Sequence, residues 1–250
     1  MKVAFKNRLG LFFIIGLVIC LLLILLVANR FLFFEKTIAL IDKVDVVWMG
    51  YTQRKLVALT FDDGPDPVFT PQILRILKKY KVPATFFIEG VNVYKYPNLV
   101  RAEIKAGHII GNHTFSHPRL SKLPFSNIQA EIIETDWEIK HATGKTPVFF
   151  RPPYEEINGN ILNASRELHK KIILSTITLE HVSAKNPREK AARVIRYVFP
   201  GAIILAHDGR LNRSQTVEAL PYLIERLLSK GYQFVSLNTL LGKRPLKPGN

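Results

Sequence analysis

Two short segments of the chain carry side chains that could bind a metal ion and activate water. TFDDGP places Asp62 and Asp63 side by side after an apolar run, and HTFSHP places His113 and His117 four residues apart. Imidazole and carboxylate groups are common ligands of zinc and related ions. Because side chains alternate along an extended chain, one aspartate could bind a metal while the other faces its water. Ordinary turn aspartates and hydrogen-bonded loop histidines are the alternative interpretation.

Two further segments could supply a cation and an acid. In RPPY, Arg151 could hold a carboxylate with its fork of donors, and the two prolines could aim the Tyr154 amide at a developing oxyanion. In ILAHDG, His207 ends an apolar run, where an imidazole can protonate a leaving amine near neutral pH. Taken alone, each of these residues is also compatible with a purely structural role.

The hydrophobic pattern predicts strands that alternate with helices. The predicted strands are 55–61, 84–88, 108–112, 147–151, 171–177, 201–207 and 232–236. The predicted helices begin near Thr70, Pro97, Ser126 (with Gln129 as a capping box), Ile161, Pro187 and Ser214. This alternation is typical of an α/β fold with parallel strands, either a barrel or an open sheet. In both architectures the site forms at the carboxyl ends of strands, which is where the four segments fall.

The four segments, taken in order, resemble the motifs of the polysaccharide deacetylases, the NodB homology domain of carbohydrate esterase family 4. The resemblance rests on TFDDGP, H-[ST]-x-x-H, RPPY and L-x-H-D and covers about residues 54–241. It implies a distorted (β/α) barrel of about seven parallel strands. It also implies a hydrolase that removes N-acetyl groups from amino sugars of peptidoglycan or chitin-like polymers and releases acetate.

The resemblance assigns roles to the candidate residues. It implies one divalent metal, with zinc favoured and cobalt, nickel or manganese as alternatives. The implied ligands are Asp63, His113 and His117. Asp62 is the implied catalytic base, and Arg151 orients it. His207 is the implied general acid, and the Tyr154 amide would stabilise the oxyanion.

One motif of the family is absent. The family usually carries D-x-x-D-W near the strand predicted at 171–177, but the chain reads STITLEHVSAK over 175–185. Glu180 is the nearest carboxylate and could replace the aspartate that tunes the histidine. Glu155 also stands where a glycine often follows RPPY. These departures concern the acid step and the substrate groove, and they leave the metal and base residues intact.

Two other functions fit the same motifs. One is a catalytically impaired polysaccharide-binding protein, and the other is a related metal-dependent amidase acting on small C–N substrates. The intact set of Asp62, Arg151 and His207 favours an enzyme over a binding protein. An apolar N-terminal segment and a net charge of +15 favour a large anionic environment over a small soluble substrate.

The N-terminal region predicts a membrane anchor. Residues 9–28 carry no charge, and a helix of about 20 apolar residues can cross a bilayer. We expect an uncleaved signal-anchor, with a cleaved signal peptide as the alternative. Basic residues before the span favour a cytoplasmic end at 1–8 and a catalytic domain outside the cell. The juxtamembrane segment would be 29–53, the deacetylase domain 54–241 and the tail 242–250.

Composition restricts the partners. The only cysteine, Cys20, lies in the predicted span, so the outer domain is expected to have no disulfide. The basic charge suits an anionic cell wall, and no basic-aromatic motif indicates nucleic acid. The predicted partners are therefore an acetylated amino-sugar polymer and the cell membrane, without nucleic acid.

Overall fold

The computed structural model describes residues 24–30 and 46–242. Residues 24–30 form a helix, α1, whose side chains are exposed. Most of the predicted membrane span, 9–28, lies outside the described residues. Within the described ranges, no helix is both long and apolar enough to cross a bilayer. The chain divides into two compact units, 1–43 and 44–250, and the second contains the sheet.

The second unit is built around a nine-stranded sheet whose strand pairings are all parallel. Its strands are β1 (Val46–Val47), β2 (Leu56–Gly64), β3 (Ala84–Ile88), β4 (Ile109–Asn112), β5 (Phe149–Phe150), β6 (Lys171–Ile173), β7 (Ile177–Thr178), β8 (Ile203–His207) and β9 (Gln233–Phe234). The order is β1-β6-β5-β4-β3-β2-β8-β7, and β9 pairs with the first residues of β2. Adjacent strands thus align their carboxyl ends along one rim.

The residues after β1 run from one end of this strand order towards the other. Leu174, after β6, donates a backbone hydrogen bond to Val47 O (2.7 Å). The Thr176 hydroxyl donates to Trp48 O (2.6 Å). Gly50 N then donates to Gly201 O (2.8 Å), just before β8. The result is a parallel half-barrel with a short crossing segment, in agreement with the predicted distorted barrel.

Eight helices accompany the sheet. They are α2 (Phe69–Tyr80), α3 (Gly90–Lys95), α4 (Pro97–Lys105), α5 (Phe125–Thr143), α6 (Gly159–Glu167), α7 (Pro187–Tyr197), α8 (Ser214–Ser229) and α9 (Leu237–Leu240). Asn158 caps α6 by accepting from Ile161 N (2.9 Å), and Asn186 caps α7 in the same way. The largest apolar cluster joins the outer face of β2 and β3 to α2 and α8. Its members include Leu59, Phe61, Phe86, Ile73, Leu77 and Leu223.

The structure confirms most predicted elements and corrects three expectations. The strand predicted at 84–88 is β3 without change. The strand predicted at 171–177 is wrong, because residues 174–176 turn away to bond the crossing segment and separate β6 from β7. The capping box at Ser126 is also wrong, since α5 begins at Phe125 and no side chain caps it. The count of about seven strands is too low. It does not include β1 and β7 as separate strands, and each of them has only two residues.

Candidate metal and catalytic site

The two adjacent aspartates end β2 at the rim, but they do not alternate as an extended strand would. Asp63 has a left-handed backbone (φ 75°), and the register between β2 and β3 shifts between Asp62 and Gly64. Both carboxylates consequently approach one imidazole: His113 Nε2 lies 3.8 Å from Asp62 Oδ2 and 3.5 Å from Asp63 Oδ1. The expectation that the two side chains point in opposite directions is therefore corrected.

Asp63, His113 and His117 form a compact set of three ligand atoms. Each residue offers one atom, and these atoms lie within 4.8 Å of one another. His117 Nε2 is 3.4 Å from Asp63 Oδ1, and that buried oxygen has no hydrogen-bond partner among the described residues. One carboxylate oxygen facing two imidazole nitrogens is the donor set that zinc and similar ions prefer. The residues present therefore fit a divalent metal.

The second ring nitrogen of His113 determines which nitrogen is free for a ligand. His113 Nδ1 lies 2.7 Å from Arg151 O, so that nitrogen carries the proton and donates it to the carbonyl. This leaves the Nε2 lone pair directed towards Asp63. A backbone carbonyl that fixes the tautomer in this way is typical of metal-binding histidines.

The electrostatics of the three residues favour a bound cation. Burial alone would raise the pKa of Asp63, but its close contact with His113 and the other nearby imidazoles lower it to about 2. Burial and the charge of His113 lower the pKa of His117 to about 4, so its ring is neutral at physiological pH. Burial would lower the pKa of His113, yet the two aspartates raise it. A positive charge is thus stabilised beside Nε2 of His113.

Each aspartate also contacts an arginine. Arg151 is fully buried at the end of β5, and its Nη1 donates to Asp62 Oδ1 (2.6 Å) and to the Thr60 hydroxyl (2.9 Å). Arg213 Nη2 donates to Asp63 Oδ2 (2.9 Å). The predicted contact of Arg151 with Asp62 is thus present. Arg213 was missed, since no motif or spacing in the sequence relates it to Asp63.

The predicted acid, His207, and its predicted tuning carboxylate, Glu180, contact each other at the same rim. His207 ends β8 and is in register with Asp62 of β2. Glu180 Oε2 lies 3.0 Å from His207 Nδ1, and Glu180 Oε1 accepts from the Thr216 hydroxyl (2.6 Å). Burial opposes protonation of His207, but the hydrogen bond and charge of Glu180 raise its pKa. Glu180 therefore supplies a carboxylate to His207, the role expected for it in place of the aspartate of the absent motif.

Tyr154 lies at the edge of this site, and its side chain is exposed. Its ring packs edge-on against His117, with 4.9 Å between ring centroids. The Arg119 guanidinium carbon lies over the same ring, 4.3 Å from its centroid. The residue has a left-handed backbone (φ 59°), as does Glu155 (φ 54°). The Glu155 carboxylate binds the backbone and hydroxyl of Ser175, so it is occupied structurally. The oxyanion role of the Tyr154 amide stays a prediction.

The residues after Glu180 do not complete a groove wall. Val182 is 95% exposed, and His181 Nδ1 contacts the Ser183 hydroxyl (2.8 Å). The structure thus brings seven of the eight predicted residues into one site, with Tyr154 at its margin.

Comparisons with known proteins identify the family to which the chain is similar. Residues 50–173 match the family model for polysaccharide deacetylase. A peptidoglycan-N-acetylglucosamine deacetylase of Bacillus cereus is 40% identical over 206 residues, which are 80% of this chain and 73% of that protein. The structure of the Bc1960 peptidoglycan N-acetylglucosamine deacetylase has a TM-score of 0.78 at 36% identity, covering 84% of this chain and 99% of that one.

A second solved structure is similar to the chain but differs in its described activity. BA3943, a CE4 family pseudoenzyme from Bacillus anthracis, has a TM-score of 0.72 at 29% identity, covering 78% of this chain and 68% of that one. Fold similarity alone therefore does not establish catalysis in this group. Together, the four motifs, the barrel and these matches show that the chain belongs to the polysaccharide deacetylase family, carbohydrate esterase family 4.

Proposed function

We propose that the chain is a metal-dependent hydrolase that removes N-acetyl groups from amino sugars of cell-wall peptidoglycan and releases acetate. The observation that carries the proposal is the convergence of Asp63, His113 and His117 within 4.8 Å, beside an aspartate held by a buried arginine. The names of the relatives support the choice of polymer.

The residues of the site divide the reaction between them. A divalent metal such as zinc, held by Asp63, His113 and His117, would lower the pKa of bound water and polarise the amide carbonyl. Arg151 occupies Asp62 Oδ1 and leaves Oδ2 free to accept the proton of the attacking water. His207, whose protonated form Glu180 stabilises, donates its proton to the sugar nitrogen as the C–N bond breaks. The products are acetate and the free amino sugar.

Acetate release tests the proposal directly. The full chain, supplied with Zn²⁺ or Co²⁺, is incubated with acetylated peptidoglycan and separately with chitooligosaccharides. We expect acetate from the parent protein and a loss of at least about 100-fold for Asp62→Asn, since general-base catalysis contributes about 10²–10⁴-fold. The variant keeps the three ligands and serves as a metal-binding control. A parent protein that binds metal and releases no acetate from either polymer would contradict the proposal.

A polysaccharide-binding protein without activity is the second candidate function. The absent D-x-x-D-W motif and the similarity to a pseudoenzyme favour it. The contact between Glu180 and His207 argues against an inactive protein, because Glu180 supplies a carboxylate to the histidine in place of the aspartate of the absent motif. Sedimentation with insoluble peptidoglycan distinguishes the two: an inactive binder cosediments with the polymer and produces no acetate.

We also propose that residues 9–28 anchor the protein in the cell membrane with the site outside. The uncharged apolar run and the basic residues before it support this location. Fractionation of cells tests the anchor, and protease treatment of intact cells tests the orientation. Recovery of the protein in the soluble culture medium would indicate a cleaved signal peptide instead.

A further inference from the structure

The two histidine ligands stand at the ends of a loop with an unusual backbone. The loop follows β4 and runs from His113 to His117. Both Thr114 (φ 69°) and His117 (φ 59°) are left-handed without being glycine. Such conformations cost free energy and persist only where the surrounding structure holds them. The loop therefore needs contacts that keep the two imidazoles directed at Asp63.

A carboxylate from α5 provides the densest set of such contacts. Glu131 Oε2 accepts hydrogen bonds from the backbone nitrogens of Phe115 and Ser116, both at 2.8 Å. Glu131 Oε1 accepts from the Ser116 hydroxyl at 2.7 Å. All three donors lie between the two histidines. Hydrogen bonds to an ionised acceptor are stronger than neutral ones, so one side chain restrains the middle of the loop.

The helix that carries Glu131 is itself tied to the start of the loop. Asn112, the last residue of β4, donates from Nδ2 to Ile132 O (2.8 Å), and its Oδ1 accepts from Thr114 N (2.8 Å). Ile132 is fully buried in the core between α5 and the sheet. Glu131 is next to Ile132, whose carbonyl binds Asn112, the residue before His113. The helix that carries Glu131 is thus held close to the start of the loop.

Other contacts also support the loop, and they define what Glu131 adds. Gly90 N and Val91 N of α3 donate to Thr114 O and Phe115 O, both at 3.0 Å. These bonds use two carbonyls of the loop, whereas Glu131 binds the amides of Phe115 and Ser116. Removal of the carboxylate would leave two backbone donors without these acceptors while the α3 contacts remain. The expected consequence is a loosened loop in a folded protein.

We propose that Glu131 is a positioning residue of the metal site, which it serves by holding the 113–117 loop so that both imidazole Nε2 atoms converge on Asp63. The inference rests on the metal dependence in the proposed function. It concerns metal affinity and coordination geometry, and the Glu131 carboxylate binds Phe115 and Ser116 rather than the two histidine side chains. Residues that orient ligands typically change metal affinity by about 10–100-fold when they are removed.

Cobalt binding without substrate provides the test. The full chain is titrated with Co²⁺ alone, and the visible absorption of the bound ion reports both affinity and coordination geometry. We expect Glu131→Ala to bind Co²⁺ about 10–100-fold more weakly, with an altered spectrum. Glu131→Gln keeps one acceptor oxygen and should fall between the alanine variant and the parent. Glu134→Ala is the matched control, because Glu134 is an exposed glutamate of the same helix.

The outcomes separate this inference from the proposed function. Parental affinity and spectrum in Glu131→Ala would overturn the positioning role while leaving the metal site intact. A parent that binds no Co²⁺ would instead contradict the metal-dependent function. Circular dichroism of the metal-free proteins monitors folding. Should the alanine variant fail to fold, Glu131→Gln decides: weaker binding than in Glu134→Ala supports the role, and equal binding overturns it.

Discussion

Two pairs of buried carboxylates differ in whether basic side chains contact them. Asp62 and Asp63 end β2 at the rim, and each contacts an arginine. Glu103 of α4 and Asp208, which follows β8, are fully buried and make no ion pair with a described residue. Asp208 accepts a hydrogen bond from the Thr70 hydroxyl, whereas neither oxygen of Glu103 has a hydrogen-bond partner among the described residues.

The comparison shows that partners, and not burial, decide which carboxylates are charged. Burial raises the pKa of Asp63, but the imidazoles beside it lower the value to about 2. Burial and the charges of the two rim aspartates raise the pKa of Asp208 to about 7. Burial also raises the pKa of Glu103, and Asp208 adds to the effect. Negative charge is therefore stabilised on Asp63, where a cation can bind, and is disfavoured on Asp208 and Glu103.

Removal of one rim charge should have the largest effect. Asp63→Asn replaces an ionised ligand by a neutral amide and leaves Arg213 without its partner. We expect metal affinity to fall by more than about 100-fold, since even residues behind the ligands change it by about 10–100-fold. Titration with Zn²⁺ against a competing chelator measures the loss. Asp62→Asn is the matched control and should bind within a few-fold of the parent, so equal losses in both variants would contradict the division of roles.

The acid side of the site should respond through pH. The charge of Glu180 raises the pKa of His207, so the imidazole keeps its proton to higher pH than it otherwise would. Glu180→Gln removes that charge, and the high-pH fall of kcat/KM should begin at lower pH than in the parent. Above the pKa of His207 in the parent, the variant should hold less protonated His207 and have a lower kcat/KM.

A full pH profile of acetate release checks the prediction for Glu180. The low-pH side of the profile should change little, because Glu180 does not contact the base Asp62. An unmoved high-pH limb would show that His207 does not donate the proton, or that Glu180 does not tune it.

The motif residues at the rim could be predicted from the sequence, whereas Arg213 and the buried Glu103 could not. Each rim residue belongs to a short motif at a strand end, and parallel strands bring such ends together. Glu180 was also found, because it is the nearest carboxylate to the absent motif. Arg213 reaches Asp63 only through the folded path of the chain after β8. Glu103 lies in a helix with ordinary amphipathic spacing, and nothing local indicates that a charged residue faces the core.

The fold shows the same division between local and tertiary information. The strand β3 and the long helix α8 could be predicted well from the hydrophobic pattern. Strands of two residues, such as β1 and β7, are too short to show alternation and form only because neighbouring strands accept them. The left-handed backbone of Asp63 breaks a rule of alternation that holds for regular strands.

Substitution of the buried Glu103 should increase stability. Glu103→Met replaces an unpartnered carboxyl by an apolar side chain of similar length. We expect the free energy of unfolding at pH 8 to rise by about 1–3 kcal/mol, the cost of a buried polar group without a hydrogen bond. The folded pKa of Glu103 lies above its unfolded value of 4.5, so the parent loses stability as pH rises above that value. The gain should therefore shrink at pH 5.

Urea unfolding at both pH values measures this gain. Glu134→Met, on the exposed surface of α5, controls for the general loss of a negative charge. A variant less stable than the parent at pH 8 would show that Glu103 has a favourable partner in solution.

At pH 4, Asp208→Asn should have the smallest effect, and its pH dependence tests whether Asp208 and Glu103 are coupled. The folded pKa of about 7 exceeds the unfolded 3.8, so the folded protein holds a proton that the unfolded chain releases, and stability falls as pH rises between these values. Asparagine can still accept from the Thr70 hydroxyl, so at pH 4 we expect a change within about 1 kcal/mol. Between pH 4 and 7 the variant should lose less stability than the parent. Because Asp208 raises the pKa of Glu103, the double variant with Glu103→Met should depend on pH less than the sum of the single changes predicts. Strict additivity in urea unfolding would show that the two carboxyls titrate independently.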